Sequence, residues 1–288
     1  MAMMHHVRPF SLVLIAISLL LIPCACHAVT MDVDVGFGGT TKSAEWTPVA
    51  VTLGNSSSDD IDGVLNISLA QLDTQPPTCS AHVVLPANSK KLYHSYVKLN
   101  NYAGEITVAL ISRGGVRAIK KIKVDCATPE SKLVVSVGER AARPSFLTGE
   151  KVPAAPKVSR YGSHSGVTQA SIYVGSLDPA VLPDRPSAYS GVDVLIVPDI
   201  SSTSVNPKAL KTIGTWVASG GTLVLSSGAN YKNLSGEFYD EMLPVKVTGT
   251  TSVTWFGSPD PLAVTSVTVK PGVGRVLSSA NGVPLVVE

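Results

Sequence analysis

YSGVDVLIVPDISSTSVNPKALKTIGTWVASGGTLVLSSGAN, residues 189–230, is the stretch that decides the fold reading. Val192 to Val197 is an apolar run interrupted only by Asp193 and bounded by Gly191 and Pro198, which suits a strand covered on both faces. Asn206 followed by Pro207 is a helix start, with a side-chain acceptor at the N-cap and proline at the first helical position. Leu210, Ile213 and Val217, with Trp216 beside them, then make one apolar stripe. Gly220 closes the helix and Thr222 to Leu225 forms the next strand. Strand, helix, strand is a right-handed crossover unit. In open parallel sheets ligands bind beyond the carboxyl ends of the strands, here Asp199–Ser202 and Ser226–Asn230. Asp199, Ser201, Ser202, Ser226, Ser227, Gly228 and Asn230 are therefore the candidate binding residues.

Outward from this unit, the amino terminus reads as a targeting segment. Arg8 precedes an apolar core from Phe10 to Ile22, Pro23 breaks it, and Cys26-His27-Ala28 offers small residues for cleavage after Ala28. The reading is a secreted or extracytoplasmic envelope protein. Pro23 argues against a lipid anchor at Cys24 or Cys26. Removing residues 1–28 takes away one base, Arg8, from the 23 Lys and Arg and none of the 21 Asp and Glu, leaving 22 against 21, or +1. That balance gives no reason to expect a nucleic acid or an anionic membrane as partner. Cys79 and Cys126 remain after cleavage, and an even pair in an oxidising compartment predicts a disulfide.

Residues 29–127 read as an antiparallel β-sandwich. The expected strands are Asp32–Val35, Pro48–Leu53, Val64–Ala70, Ala81–Leu85, Leu92–Leu99, Ile106–Ile111 and Ala118–Val124, separated by turn-rich pieces. Residues 128–131 form a linker. Residues 132–288 open on the apolar strand Lys132–Val137, continue through a second strand near Ser171–Val174 into the central unit, and turn back to β from Leu243, with hairpin signals at Gly249, Pro259 and Pro271–Gly274. The fold class expected is multidomain: a sandwich followed by a parallel α/β domain.

Two resemblances sharpen this expectation. WTPVAVTLGNSSSDDIDGVLNISL, residues 46–69, resembles the opening hairpin of immunoglobulin-like modules of bacterial surface proteins. Leu182-Pro183, the run Tyr189 to Val197, Ala209 to Val224 and Gly228 resemble the class I glutamine amidotransferase-like superfamily, closest to its exported bacterial members. That resemblance implies a flavodoxin-like sheet with a nucleophilic cysteine on the turn after the strand. Here Ser226 stands at that position, both mature cysteines lie upstream of residue 127, and no histidine follows His164. A serine hydroxyl without a base is a poor nucleophile.

Other chemistry is weakly encoded. Leu225-Ser226-Ser227-Gly228 lacks the first glycine of a nucleophile elbow. Pro271-Gly272-Val273-Gly274-Arg275 lacks the Lys-Ser/Thr of a phosphate loop. Asp59, Asp60 and Asp62 lack EF-hand spacing, and His82, His94 and His164 lack metal-ligand spacing. Lys120, Lys121 and Lys123 read as a solvated strand edge. Asn55, Asn66 and Asn233 open glycosylation sequons that carry no meaning in a bacterial reading. No cofactor and no metal is expected. The functional expectation is an exported, non-catalytic binding or scaffolding protein of the bacterial cell envelope, with an envelope protein or glycan as partner and its contact surface at the interdomain cleft and the strand-end loops. Two alternatives stand beside it: an envelope or carbohydrate-directed hydrolase using Ser226, and a fragment of a membrane-anchored assembly component whose anchor lies beyond Glu288.

Overall fold

The computed structural model describes residues 29–69, 78–99, 104–138, 144–154, 169–254 and 260–288. The expected signal segment, His164 and the turn at Pro259 lie outside the described residues.

The first third of the chain is a run of short strands. They are β1 (Val29–Val35), β2 (Thr40–Lys42), β3 (Trp46–Asn55), β4 (Ile61–Leu69), β5 (Thr78–Leu85), β6 (Ser89–Lys98), β7 (Glu105–Ser112), β8 (Gly115–Lys123) and β9 (Asp125–Ala127). All seven strands read from the sequence in this region are present, with β2 and β9 added as a short parallel ribbon. One antiparallel sheet has the order β1-β3-β6 and the other β5-β4-β7-β8. Their inward faces alternate with period two, as in β4, where Gly63, Leu65, Ile67 and Leu69 are buried. Val49, Val51 and Leu53 of one sheet meet Leu65, Ile67, Ile106, Val108 and Leu110 in a single core. The open edges approach each other at both ends. Lys120 of β8 pairs with Asp32 of β1 at 2.7 Å, and the Tyr93 hydroxyl of β6 donates to Val84 O of β5 at 2.7 Å. The result is a half-barrel.

No disulfide joins Cys79 and Cys126, which corrects the expected staple. Cys79 sits on β5 opposite Ile67 and packs on the half-barrel core. Cys126 sits on β9 opposite Thr41, in the separate ribbon, and its thiol faces Ala127 O at 3.9 Å. The even count and the oxidising compartment that suggested a bridge say nothing of which sheet each cysteine joins.

The remainder contains β10 (Lys132–Val137), β11 (Lys151–Pro153), β12 (Gln169–Leu177), β13 (Val194–Pro198), helix α1 (Pro207–Ala218) and β14 (Thr222–Ser226). These strands form one sheet, β11-β12-β10-β13-β14, in which β12, β10, β13 and β14 run parallel and β11 is an antiparallel edge. The crossover unit read from residues 189–230 exists as β13-α1-β14. Asn206 caps α1 by accepting from Lys208 N at 2.9 Å. Ala209, Ile213 and Trp216 of α1 pack with Leu133, Val135 and Leu195 on one face of the sheet.

The expected flavodoxin-like or Rossmann-like α/β domain is not there. A doubly wound fold needs helices on both faces of its sheet, and the described residues hold two α-helices in all, α1 and the six-residue α2 (Glu237–Met242). On the face away from α1, Val194 and Ile196 are only half-buried and Val224 is 43% exposed. After α2 the chain does not add further strand–helix units. It forms two hairpins, β15 (Val245–Val253) with β16 (Leu262–Val269), and β17 (Val276–Ala280) with β18 (Val283–Val287). The protein is mostly β, built of several small sheets. One βαβ unit was read as a whole domain because its pattern is local and carries no information about what covers the second face. Gly249 is also not a hairpin turn; the register shifts there inside β15, a bulge. The tight turn lies at Asn281-Gly282, with φ of 50° and 78°, an Asn-Gly signal of the kind that two-residue hairpins favour.

Candidate functional site

The two strand-end loops do come together. Asp199 follows β13 in a left-handed conformation (φ 47°), which aspartate tolerates better than most residues. Its amide donates to Ser226 O at 2.5 Å, stitching the two loops. Its carboxylate accepts from Asn233 Nδ2 at 2.7 Å and from Asn230 Nδ2. Ser201 turns its hydroxyl toward Thr203 Oγ1 at 2.9 Å and away from this cluster. Ser202 begins the short 3-10 turn Ser202–Ser204. Tyr239 of α2 reaches back to donate to Ile200 O at 2.7 Å.

On the other loop, Ser227 is buried and its hydroxyl meets Thr265 Oγ1 of β16 at 2.8 Å. Thr265 in turn donates to Gly228 O at 2.8 Å. A hydroxyl carries one proton, so Ser227 must be the donor to Thr265. The hydroxyls of Ser227 and Thr265 and the carboxylate of Asp199 are thus engaged within the protein. Ser226, at the exposed end of β14, differs: among the described residues its hydroxyl has no hydrogen bond to an imidazole or a carboxylate.

Ser226, Ser227, Gly228 and Thr265 form the polar rim of a cavity of about 240 Å³. Its walls are aliphatic, including Leu225, Leu243, Val245, Val264, Leu285 and Val287, and among the described residues no charged side chain lines it. Gly274 brings one wall close: a Cβ there would lie 2.5 Å from Pro244 O. Sequence reasoning located the Ser226 rim and missed the rest, because the walls come from the two C-terminal hairpins. Their alternating apolar residues were visible, but their packing against β14 is tertiary.

Where the two parts of the chain meet, one aromatic is buried. Phe37, held in a loop where Gly36 and Gly38 take φ of 64° and 66°, is 2% exposed and packs into the core of the parallel sheet. It lies against Gly175, where a Cβ would come within 2.6 Å of Phe37 Cβ and 2.8 Å of Phe37 O. Beside it Asp193 accepts from Lys42 Nζ (2.9 Å), Lys132 Nζ (2.8 Å) and Leu133 N (2.9 Å). Burial pushes the Asp193 pKa up, and hydrogen bonds from Lys132, Leu133 N and Lys42 together hold it below the usual carboxylate value. Tyr96 donates to Asp184 at 2.5 Å, Lys208 pairs with the same carboxylate at 2.5 Å, and the Arg185 guanidinium lies 5.2 Å from the Tyr96 ring centre. Burial and the bond to Asp184 raise the Tyr96 pKa. The interruption at Asp193, which the strand reading passed over, is the signal that marked this junction.

A family described as a domain of unknown function (DUF8726) matches residues 28–125. No curated protein sequence matches the chain. Among solved structures, a β-glucosidase from Listeria innocua is 16% identical over 33% of this chain and 16% of its own, with a TM-score of 0.24. A CARDB domain from Pyrococcus furiosus in complex with di-metal ions is 9% identical over 34% of this chain and 86% of its own, TM-score 0.28. A Niemann-Pick type C2 protein from Japanese carpenter ant is 11% identical over 36% and 96%, TM-score 0.27. This chain spans 16% of the β-glucosidase's length, and scores this low transfer nothing from any of the three.

The amidotransferase-like resemblance is withdrawn. The chain is mostly strand, has two α-helices among its described residues, and its family match lies in the half-barrel. The residues that suggested the resemblance encode one crossover unit, a motif many unrelated folds share. Among the described residues there is no cluster of metal-ligating side chains and no helix long and apolar enough to cross a membrane.

Proposed function

We propose that this chain is an exported, non-catalytic binding module of the cell envelope, whose contact site is the cavity rim formed by the strand-end loops. One observation carries the reading. The polar groups around Ser226 are consumed in holding the loops together, and Ser226 itself is given no base among the described residues. Acyl transfer by serine requires a base within hydrogen-bond reach to take its proton. Loops tied in this way, over an aliphatic cavity, suit recognition. Placement in the envelope rests on the targeting pattern of residues 1–28, and the partner is an envelope protein or glycan or a small molecule carried there.

A hydrolase acting through Ser226 is the competing reading, and the exposure of Ser226 at the cavity mouth is the observation in its favour. Purified residues 29–288 incubated with short acyl esters and amides discriminate the two. The binding reading expects turnover no faster than buffer for both the unmodified protein and Ser226→Ala. Turnover that Ser226→Ala abolishes, with the fold retained by circular dichroism, refutes it.

A further inference from the structure

The cavity below Ser226 has a composition that selects a ligand by chemistry. Its walls are aliphatic side chains of β14, β15, β16 and β18 and the segment after α2, so water within them finds few partners. Its polar atoms sit at one side, on Ser226, Ser227, Gly228 and Thr265. The hydrogen-bond inventory there is specific. Thr265 gives its proton to Gly228 O and Ser227 gives its proton to Thr265, so Ser227 Oγ retains acceptor capacity only. Ser226 Oγ offers both a donor and an acceptor at the rim. Among the described lining residues there is no cation to neutralise a carboxylate or phosphate and no anion to neutralise an ammonium; an unpaired charge buried between the aliphatic walls carries a desolvation penalty. The space, about 240 Å³, is many times the roughly 10–15 Å³ that one water needs by the same measure, so it admits a small organic ligand.

We propose that this cavity binds a small neutral amphiphile: a short aliphatic chain ending in one uncharged hydroxyl or amide group. The chain fills the space between Val264, Leu285 and Leu225, and the terminal group exchanges hydrogen bonds with Ser226 Oγ and Ser227 Oγ. This deepens the binding reading above and rests on it.

The test is calorimetric titration of residues 29–288 at pH 7 with 1-heptanol, heptanoate and heptylammonium. Saturable one-to-one binding of 1-heptanol is expected, with heptanoate and heptylammonium each at least tenfold weaker. Val264→Trp, which places an indole in the cavity, is expected to abolish heptanol binding. Leu285→Trp is expected to do the same from β18, and one of the two retaining the parent circular dichroism suffices. Ser226→Ala is expected to weaken binding several-fold without abolishing it. Absence of heptanol binding, equal binding of all three probes, or binding unchanged by a folded cavity-filling variant overturns the proposal. Ester turnover lost in Ser226→Ala overturns the functional reading instead, and the two failures are distinguishable because turnover and titration are separate readouts.

Discussion

Replacing Asp193 by alanine is predicted to destabilise the protein more than any other single change at the junction of its two parts. The carboxylate is 22% exposed and accepts three hydrogen bonds, from Lys42 Nζ, Lys132 Nζ and Leu133 N. Lys42, at 11% exposure, would be left as a poorly solvated charge without its partner, and Leu133 N would lose its acceptor. Lys132, at 38%, can turn to water and contributes little. Removing one member of a fully buried pair costs about 3–5 kcal/mol; discounting for the partial exposure here gives about 3 kcal/mol. Urea unfolding followed by far-ultraviolet circular dichroism measures it. Adding Lys42→Met to Asp193→Ala removes the stranded ammonium and is expected to recover a substantial part of the loss. The same group sets an acid limit. Its folded pKa lies below the ordinary 3.8, so the carboxylate's contribution is complete above that value and disappears as pH falls through the folded one. Stability of the parent should therefore drop below about pH 4, and that part of the drop should be missing from Asp193→Ala. A loss under about 1 kcal/mol, or no recovery with Lys42→Met, refutes the assignment of the junction to this ion cluster.

Gly175→Ala is expected to cost about 1–3 kcal/mol, because the new Cβ meets Phe37 Cβ at 2.6 Å and Phe37 O at 2.8 Å, and thermal unfolding reads it. Asn206→Ala removes the cap that accepts from Lys208 N and is expected to cost about 1 kcal/mol in urea unfolding, with the cavity's ligand affinity unchanged. Asp199→Ala releases Asn230 and Asn233, so amide hydrogen exchange in residues 226–234 is expected to quicken while β10 and β13 keep their protection.

What the sequence disclosed was local. The seven strands of the half-barrel were legible because each alternates apolar and polar residues between turn signals. The crossover unit was legible because Asn206-Pro207 and Gly220 punctuate it. The misreading began where a local pattern stood in for layers. Nothing in β13 or β14 states that the described residues place no α-helix on the second face of their sheet, and nothing in Leu243–Glu288 taken alone states that its hairpins wall a cavity below Ser226. Three signals were present and passed over. Asp193 interrupts an apolar strand where an ion cluster needed it, Gly36-Phe37-Gly38 frames the aromatic that plugs the junction, and Asn281-Gly282 marks the last hairpin. The cysteine pair misled for a related reason. Parity and compartment speak to whether thiols oxidise, not to whether β5 and β9 bring them within bonding distance.

The strand-end loops border a cavity walled by the C-terminal hairpins, and the proposal is that a ligand occupies it. Crystals of residues 29–288 soaked with 7-bromo-1-heptanol test it most directly, through the anomalous signal of bromine. The account predicts one peak among Val264, Leu285 and Val287, with the alcohol oxygen within hydrogen-bond distance of Ser226 Oγ. An empty cavity with bromine bound elsewhere, or no ordered bromine at saturating alcohol, would contradict it.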